Sequence, residues 1–221
     1  EGMGHQNFWG GSANMGEGIQ LTGPGNVICY NRVRGFRDAI SNMEDRGAYE
    51  QVSIDIYNND IYVAADDAIE ADHCMGNCRV MRNRITNCAM GLSSQPSLGG
   101  PTYFIRNVMY NLVLAPFKFA RGSHGNVALH NTVVKTGHGL WVPHGPGIYY
   151  RSTFRNNLAI GGLRDPFRIN YSGPARGEAL FTPETDPTND FDYDGIGTHL
   201  TPFRGRIGKV EFNSIDELRE R

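Results

Sequence analysis

Short apolar segments separated by polar turns fill most of the chain. These segments share the form apolar-x-apolar-x-x-Asn-x-apolar with small variations, as in Val80–Ile85 and Phe104–Met109. A spacing of two is typical of β-strands, whereas amphipathic helices show a spacing of about 3.6 residues. Glycine, asparagine and proline lie between the segments and favour turns. The pattern therefore predicts an all-β chain built from short strands.

The asparagines of these segments keep a regular interval. They are Asn31, Asn59, Asn83, Asn107, Asn131 and Asn156, at successive intervals of 28, 24, 24, 24 and 25 residues. Such a unit is too short for a propeller blade of about 40 residues, and it lacks the helices of ankyrin or tetratricopeptide repeats. A parallel β-solenoid remains, in which one unit forms one rung and equivalent residues stack about 4.8 Å apart. An inward asparagine at the same turn of every rung would form a ladder of side-chain amides.

Composition fits this interpretation and excludes several classes of protein. The 221 residues include 28 Gly and 19 Asn, which suit the corners between strands. With 21 basic and 23 acidic residues the formal net charge is −2, which argues against a nucleic-acid-binding protein. No run reaches about 18 apolar residues, so we predict neither a transmembrane helix nor a membrane partner.

The four cysteines are too few for a disulfide framework. Cys74 and Cys78 could form half of a metal site, but the nearest histidine, His73, is adjacent rather than at ligand spacing. We therefore expect no metal site there, and either buried thiols or one disulfide.

The asparagine series and segments such as Asp66–Glu70 resemble the right-handed parallel β-helix of the pectate-lyase-like superfamily. The resemblance covers residues 16–162, about two thirds of the chain. It implies an all-β, right-handed parallel β-helix (solenoid) of about six to seven rungs. This superfamily includes polysaccharide lyases, glycoside hydrolases, epimerases, esterases and phage tailspikes. The resemblance therefore implies the fold and leaves the activity open.

The domain organisation follows from where the period is lost. We predict β-helix rungs over residues 1–162 and a loop-rich C-terminal cap over residues 163–221, packed on the last rung. Ser214 and Glu217 have capping-box spacing, which predicts a short C-terminal helix. The first residues show no capping pattern, so we expect either missing N-terminal rungs or an end-to-end homo-oligomer.

One outward face of the solenoid brings polar and aromatic residues into a row. The residue after the inward apolar position of a second strand in each rung points outward. This position reads Gln20, Ser41, Glu70, Ser93, Lys118, Trp141 and Arg168. The next outward position includes Asp72 and Gln95, and the strand ends carry His73, Arg121, His144 and Tyr171. A row of this length suits an extended polymer rather than a small metabolite.

Two kinds of polysaccharide chemistry could use this face. A hydrolase needs two carboxylates, for which Asp67, Glu70 and Asp72 are candidates. A lyase needs a base, for which Lys118 or Arg121 is a candidate, and an acidic cluster could hold Ca²⁺. His73, next to Asp72, is a further candidate acid or base.

Site roles follow from the residue types in the row. Aromatic rings stack on sugars, and arginine binds the carboxylates of acidic sugars. We predict catalytic roles for Glu70, Asp72, His73, Lys118 and Arg121, and substrate-binding roles for Gln95, Trp141, His144, Arg168 and Tyr171. The alternative interpretation is a solvated face of mixed charge.

Two local motifs do not complete a known site. Polygalacturonase-type hydrolases of the superfamily have an Asp-Asp pair and a Gly-His-Gly about one rung later, but here Asp66–Asp67 and Gly137–Gly139 are 71 residues apart. Asp67 is instead interpreted as a turn-capping residue. Asp190–Gly195 has the carboxylate spacing of a calcium loop, but Thr201 stands where that loop needs glutamate. Ca²⁺ is thus a candidate cofactor without a complete motif.

These features predict a secreted or periplasmic carbohydrate-active protein. We predict a polysaccharide lyase or glycoside hydrolase that acts on an acidic polysaccharide, with no nucleic-acid or membrane partner. The alternative is a non-catalytic β-solenoid for carbohydrate binding or assembly, including a fragment of a longer protein. A phage-type adhesin, a third alternative, would form obligate trimers.

Overall fold

The chain folds as a right-handed parallel β-helix of about six turns with almost no helix, as the sequence predicts. The computed structural model describes residues 16–42, 50–142, 148–163, 177–182, 185–200 and 202–220, and their side chains except those of Trp141 and Leu163. These residues form strands β1 to β23 and helix α1, numbered in chain order. Within the described ranges, no helix is long and apolar enough to cross a membrane.

The strands of the described residues form four sheets along the solenoid. Sheet A contains β1 (Glu17–Leu21), β4 (Asp38–Asn42), β7 (Asp67–Glu70), β10 (Met90–Ser94) and β13 (Phe117–Phe119). Sheet B contains β2 (Val27–Cys29), β5 (Asp55–Tyr57), β8 (Cys78–Met81), β11 (Leu98–Ile105), β14 (His124–Leu129), β17 (Thr153–Arg155) and β20 (Asp190–Asp192). Sheet C contains β3 (Arg32–Phe36), β6 (Asp60–Ala64), β9 (Arg84–Thr86), β12 (Val108–Tyr110), β15 (Thr132–Thr136), β18 (Leu158–Leu163) and β21 (Gly195–Thr198). Sheet D contains β16 (Leu140–Trp141), β19 (Leu180–Thr182), β22 (Gly205–Ile207) and β23 (Val210–Phe212).

Stacked apolar columns fill the interior of the solenoid. In sheet C, Ile61, Ile85 and Met109 are register partners on successive rungs, and all three are buried. In sheet B, the ring of Phe154 stacks on that of Phe191 with centroids 4.5 Å apart. Because rungs lie about 4.8 Å apart, like residues bury one another. This packing explains why apolar residues recur at the rung interval.

The turn between sheets B and C contains the asparagine ladder. Its members are Asn31, Asn59, Asn83, Asn107, Asn131 and Asn157, and Asp194 continues it. In a typical rung, Asn107 Oδ1 accepts from the backbone N–H and the side-chain amide of Asn83, both at 3.0 Å. Its Nδ2 donates to the carbonyl of Val80 and to Asn131 Oδ1. The predicted ladder is therefore present.

The assignment of Asn156 to the ladder is wrong by one residue. Asn156 occupies the corner position before the ladder residue, where its φ is 57°. Left-handed backbone of this kind favours asparagine over most other residues. Two adjacent asparagines hide this difference in the sequence, because either one continues the interval.

Asp194 ends the ladder with a carboxyl group where earlier rungs have an amide. Its Oδ1 accepts from the backbone N–H and Nδ2 of Asn157, at 2.7 and 2.9 Å. Its Oδ2 is buried and has no hydrogen-bond partner among the described residues. Burial raises the pKa of Asp194 to about 6, against the lowering effect of the Asn157 hydrogen bonds.

Replacement of Asp194 by asparagine should raise the free energy of unfolding near neutral pH by about 1–2 kcal/mol. This value allows for screening by solvent, because the residue is only half-buried. The new amide would donate to a carbonyl of the preceding rung, as Asn157 Nδ2 does to Ala128. A carboxyl group with a raised pKa contributes stability below about pH 4 and loses it as the pH rises through about 6. Urea unfolding should show that the gain vanishes below about pH 4, and a gain independent of pH would contradict this account.

Sheets B and C continue beyond the predicted boundary at residue 162. Strand β20 pairs with β17, and β21 pairs with β18, so residues 190–198 contribute to a further rung. The helix α1 (Ile215–Arg219) follows β23, as the capping-box spacing predicted. The Ser214 hydroxyl accepts from the Glu217 N–H, and Glu217 Oε2 accepts from the Asn213 N–H. The division into domains at residue 162 stays a prediction, while the rung pattern reaches residue 198.

A disulfide joins Cys74 and Cys78, whereas Cys29 and Cys88 are free thiols. A disulfide was one of the two outcomes expected from the cysteine spacing. The bond engages both sulfur atoms, so this pair has no thiolate for a metal ion. It closes the loop between β7 and β8, immediately after His73.

Candidate active site

Strands β4 and β7 of sheet A are buried on both faces, unlike the strands of the neighbouring sheets. Every side chain of β4 and β7 is buried, whereas β3 and β12 alternate between exposed and buried positions. Outer faces of sheets are usually solvated, with polar residues alternating with apolar ones. The outward residues Ser41, Glu70 and Ser93 are instead withdrawn from bulk solvent. This burial does not fit the alternative interpretation of a solvated face.

The outward row has the predicted order along sheet A. Gln20 pairs with Ser41, Ser41 with Glu70, Glu70 with Ser93, and Ser93 with Lys118. Since neighbouring strands lie about 4.8 Å apart, the backbones of Glu70 and Lys118 are about 10 Å apart. The register therefore agrees with the sequence, and the roles of these residues stay predictions.

Two carboxylates from an earlier rung hold Lys118. Its Nζ donates to Asp67 Oδ2 at 2.5 Å and lies 3.5 Å from Asp66 Oδ1. The side chain of Asp67 is fully buried, and that of Lys118 is 18% exposed. Burial by itself lowers the pKa of Lys118, but the attraction of Asp67 and Asp66 outweighs it and raises that pKa above its usual range. Lys118 is therefore a charged ammonium at neutral pH.

Asp38 adds a third carboxylate beside this ion pair. One oxygen from each of Asp38, Asp66 and Asp67 lies within 4.8 Å of the others. Arg37 Nε donates to Asp38 at 2.7 Å, and the backbone N–H of Asp67 donates to it at 2.9 Å. Burial and repulsion by Asp66 raise the pKa of Asp38, against these two hydrogen bonds. Three carboxylates thus lie close together, and the ammonium of Lys118 offsets part of their negative charge.

The carboxylate cluster is a poor fit to Ca²⁺. Calcium takes about six to eight oxygen ligands, but Asp66 and Asp67 both face the Lys118 ammonium, and Arg37 engages Asp38. The ammonium supplies the positive charge that the cluster needs. The carboxylates of the Asp190–Gly195 segment do not converge on one position either, because Asp190 binds Arg155 and Asp194 binds Asn157.

Asp72 organises the polar groups at the end of the row. Its Oδ1 accepts from the Ser93 hydroxyl at 2.6 Å and from the backbone N–H of Gln95 at 2.8 Å. The Gln95 side-chain amide in turn lies 3.4 Å from the Ser93 hydroxyl. All three residues are buried, and Glu70 is the register partner of Ser93. Asp72, Gln95 and Ser93 therefore form one polar network beside Glu70.

His73 and Arg121 lie at the corner that follows sheet A. Both have left-handed backbone, with φ of 55° and 54°. His73 is half-buried and Arg121 is exposed. The register of β7, β10 and β13 sets them two rungs apart, or about 10 Å. They border the buried row on the side where the chain leaves sheet A.

Other predicted binding residues do not join this row within the described ranges. Trp141 is on β16 of sheet D rather than in sheet A, and its backbone pairs with Phe181. Its side chain lies outside the described residues, as do His144, Arg168 and Tyr171. Their substrate-binding roles stay predictions.

His138 belongs to a second buried polar group, beside sheet D. Its Nδ1 is 2.9 Å from Glu178 Oε2, and its ring centroid is 4.6 Å from that of Phe181. The guanidinium of Arg206 lies 4.4 Å from the Phe181 centroid. Gly137–Gly139 therefore contributes to a group of its own, as its distance in sequence from Asp66–Asp67 indicated.

Sequence reasoning missed the ion pair between Asp67 and Lys118. Asp67 was interpreted as a turn-capping residue, but its side chain accepts from Lys118, and it is Asp38 that accepts from the Asp67 N–H. The two residues of the pair are 51 positions apart. A usable signal was present, since Lys118 is a lysine on the outward row two rungs after a pair of aspartates at the start of β7.

Comparisons with protein-family models, curated proteins and solved structures find no match to this chain. The fold and site define the chain as a parallel β-solenoid with a covered polar row on one sheet. Membership of the pectate-lyase-like superfamily remains a resemblance.

Proposed function

We propose that the chain is a carbohydrate-active β-helix enzyme, a lyase or hydrolase that cleaves an acidic polysaccharide at the outer face of sheet A. The observation that carries this proposal is the row of Glu70, Ser93 and Lys118, which is withdrawn from solvent although it lies outside the solenoid core. Burying polar groups costs stability. Such groups with shifted pKa values are typical of functional sites.

The charged state of Lys118 suits recognition of a uronate better than abstraction of a proton. An ammonium beside the substrate carboxylate would neutralise it and so favour loss of the adjacent C5 proton. Because its pKa is raised, Lys118 is a poor base. In an elimination, His73 or Glu70 would then accept the C5 proton while the C4–O4 bond breaks and a C4=C5 double bond forms, and the leaving oxygen would take a proton from water. In a hydrolysis, Glu70 and Asp72 would supply the pair of carboxyl groups.

A secreted or periplasmic location is part of this proposal. The disulfide between Cys74 and Cys78 supports it, because disulfides persist mainly in oxidising compartments. An extracellular polysaccharide is also the substrate that such a location makes accessible.

A panel of polyuronates would test the activity and separate the two reactions. Elimination gives an unsaturated sugar that absorbs in the ultraviolet, whereas hydrolysis gives reducing ends without that absorbance. We expect turnover of a polyuronate and not of its neutral methyl ester, because the ester has no negative charge for the Lys118 ammonium to attract. Absence of both products across the panel would contradict the enzyme proposal.

The double variant Lys118→Met with Asp67→Asn tests the site without leaving a buried charge unpaired. Removing both charges of a buried pair is often close to neutral for stability. We expect kcat/KM on the polyuronate to fall by about a hundredfold, because the substrate carboxylate loses its cation. Lys209→Met, which changes an exposed lysine, should leave turnover unchanged.

A non-catalytic solenoid for carbohydrate binding or assembly is the second candidate. The observation that favours it is the direct ion pair of Lys118 with Asp67, in which the two charges satisfy each other. Binding of a polyuronate with neither product formed would support this candidate over the enzyme.

A further inference from the structure

A row of residues follows the corner between sheets B and C, and we call it the corner row. Each member directly precedes a ladder residue and has left-handed backbone with φ between 54° and 58°. The members are Tyr30, Asn58, Arg82, Arg106, His130, Asn156 and Tyr193. The backbone N–H of Arg82 donates to the Ile105 carbonyl, and that of Arg106 donates to Leu129. The rungs therefore stack in register, and corner residues recur about every 4.8 Å.

The fold alone does not explain the arginines of the corner row. Left-handed backbone is uncommon for residues other than glycine, and asparagine is among those that tolerate it best. Asn58 and Asn156 meet this preference. Arg82 and Arg106 adopt the same conformation at a cost in backbone energy. Stability would be served better by asparagine at both positions.

The same two arginines carry charge that no described residue neutralises. Arg82, Arg106 and His130 are exposed on three successive rungs. In the part of the chain that the structure describes, no carboxylate lies within ion-pair distance of Arg82 or Arg106. Arginines on the adjoining strands are paired with acids of a neighbouring rung, as in Arg79–Asp55, Arg84–Asp60 and Arg155–Asp190. Arg82 and Arg106 thus place two cations one rung apart in the middle of the corner row, with no acidic partner among the described residues.

An apolar strip borders these cations on the outer face of sheet B. Its members are register partners and half-buried: Tyr57, Met81, Ile105 and Leu129. Each strip residue directly precedes a member of the corner row. Cations beside an apolar strip suit a ligand that has an apolar face and repeating negative charges, which is the chemistry of an acidic sugar chain.

We propose that the corner row and its apolar strip bind a chain of an acidic polysaccharide, at a site separate from sheet A. Arg82 and Arg106 would bind sugar carboxylates, which arginine can do bidentately. Tyr30 and Tyr193, 75% and 74% exposed, lie at the two ends of the row and offer rings for stacking on sugars. Only the choice of polymer rests on the proposed function.

Two other anionic partners fit the corner row less well. Binding to an anionic membrane usually needs clusters of about four to eight lysines or arginines, more than the two arginines and one histidine exposed here. Nucleic-acid-binding domains are typically basic, whereas this chain has a formal net charge of −2.

The test is the affinity of the full chain for polygalacturonate and for its neutral methyl ester, measured by calorimetry at low salt. The variant Arg82→Asn with Arg106→Asn should bind polygalacturonate about tenfold more weakly. Its melting temperature should not fall, because asparagine suits the left-handed backbone. Arg151→Asn is the matched control, since Arg151 is exposed with a φ of 49° at a different corner, and it should leave affinity unchanged.

Binding at sheet A is separated from binding at the corner row by repeating the measurement with the Lys118→Met, Asp67→Asn protein. Affinity that persists there and falls on adding Arg82→Asn and Arg106→Asn would support the corner row, even if no polymer is ever cleaved. Equal affinity with and without the two arginines, or equal affinity for the methyl ester, would overturn it. Loss of all binding on changing Lys118 and Asp67 would also overturn it, whatever the outcome for turnover.

Discussion

Replacement of Lys118 by methionine is expected to lower the free energy of unfolding by about 3–5 kcal/mol, because it leaves the carboxylate of Asp67 buried without its cation. The side chain of Asp67 has no solvent exposure that could hydrate the charge. Asp66 and Asp38 add negative charge nearby. Denaturant unfolding near neutral pH measures the loss.

Two matched variants make the result for Lys118 specific. Lys209→Met removes an exposed lysine and should change stability by less than about 0.5 kcal/mol. Adding Asp67→Asn to Lys118→Met should restore most of the lost stability, since no charge is then left unpaired. The deficit of the single variant should also shrink at acid pH, because burial raises the pKa of Asp67 and protonation removes its charge. A deficit that the second substitution does not relieve would show that Lys118 stabilises the fold by packing alone.

Replacement of Asn107 by alanine should cost a similar amount, about 3–5 kcal/mol, because the side chain makes four hydrogen bonds inside the ladder. The change leaves the N–H and the side-chain amide of Asn83 without their shared acceptor, and the Val80 carbonyl without its donor. Each buried group that loses its partner costs about 1–3 kcal/mol. Denaturant unfolding of the two proteins gives the difference directly.

Asn213→Ala is the control for Asn107, since Asn213 is an exposed asparagine outside the ladder, and it should change stability by less than about 0.5 kcal/mol. Asn107→Asp is more informative still. The carboxylate keeps the acceptor but loses both donors of the amide, so we expect destabilisation that is larger at neutral than at acid pH. Equal stability of Asn107→Ala and Asn213→Ala would show that water replaces the hydrogen bonds of the Asn107 side chain without loss of stability.

The repeating part of the fold could be predicted because each rung obeys the same local constraints. An inward asparagine and an inward apolar residue recur in every rung, so the sequence shows the period directly. The error at Asn156 and the omission of Asp194 have different causes. Either of the adjacent residues Asn156 and Asn157 continues the interval, so the interval cannot distinguish them. Asp194 was missed because of its position and its residue type. The ladder position needs an acceptor that faces the previous rung, and an aspartate supplies one 37 residues after Asn157, where the interval no longer guides the search.

The candidate site could be predicted only as far as register determines it. Alternation along a strand placed Glu70, Ser93 and Lys118 in the right order. It could not reveal their burial, because the exposure of an outer face depends on what packs over it. The same limit applies to the pairing of Lys118 with Asp67, which depends on how a flexible side chain reaches across two rungs. The sequence pattern predicts the backbone position of a side chain, whereas its contacts depend on three-dimensional packing.

The ladder also makes the chain modular. Successive ladder residues are separated by 28, 24, 24, 24, 26 and 37 positions, yet the hydrogen bonds between them keep the same form. Extra length is therefore absorbed elsewhere in a rung, and the corner between sheets B and C is left intact. A tandem copy of residues 84–107 would carry its own strands and its own ladder asparagine. Lineages can thus lengthen such a protein by duplication and diversify it by insertion, without redesigning the turn that holds successive copies together.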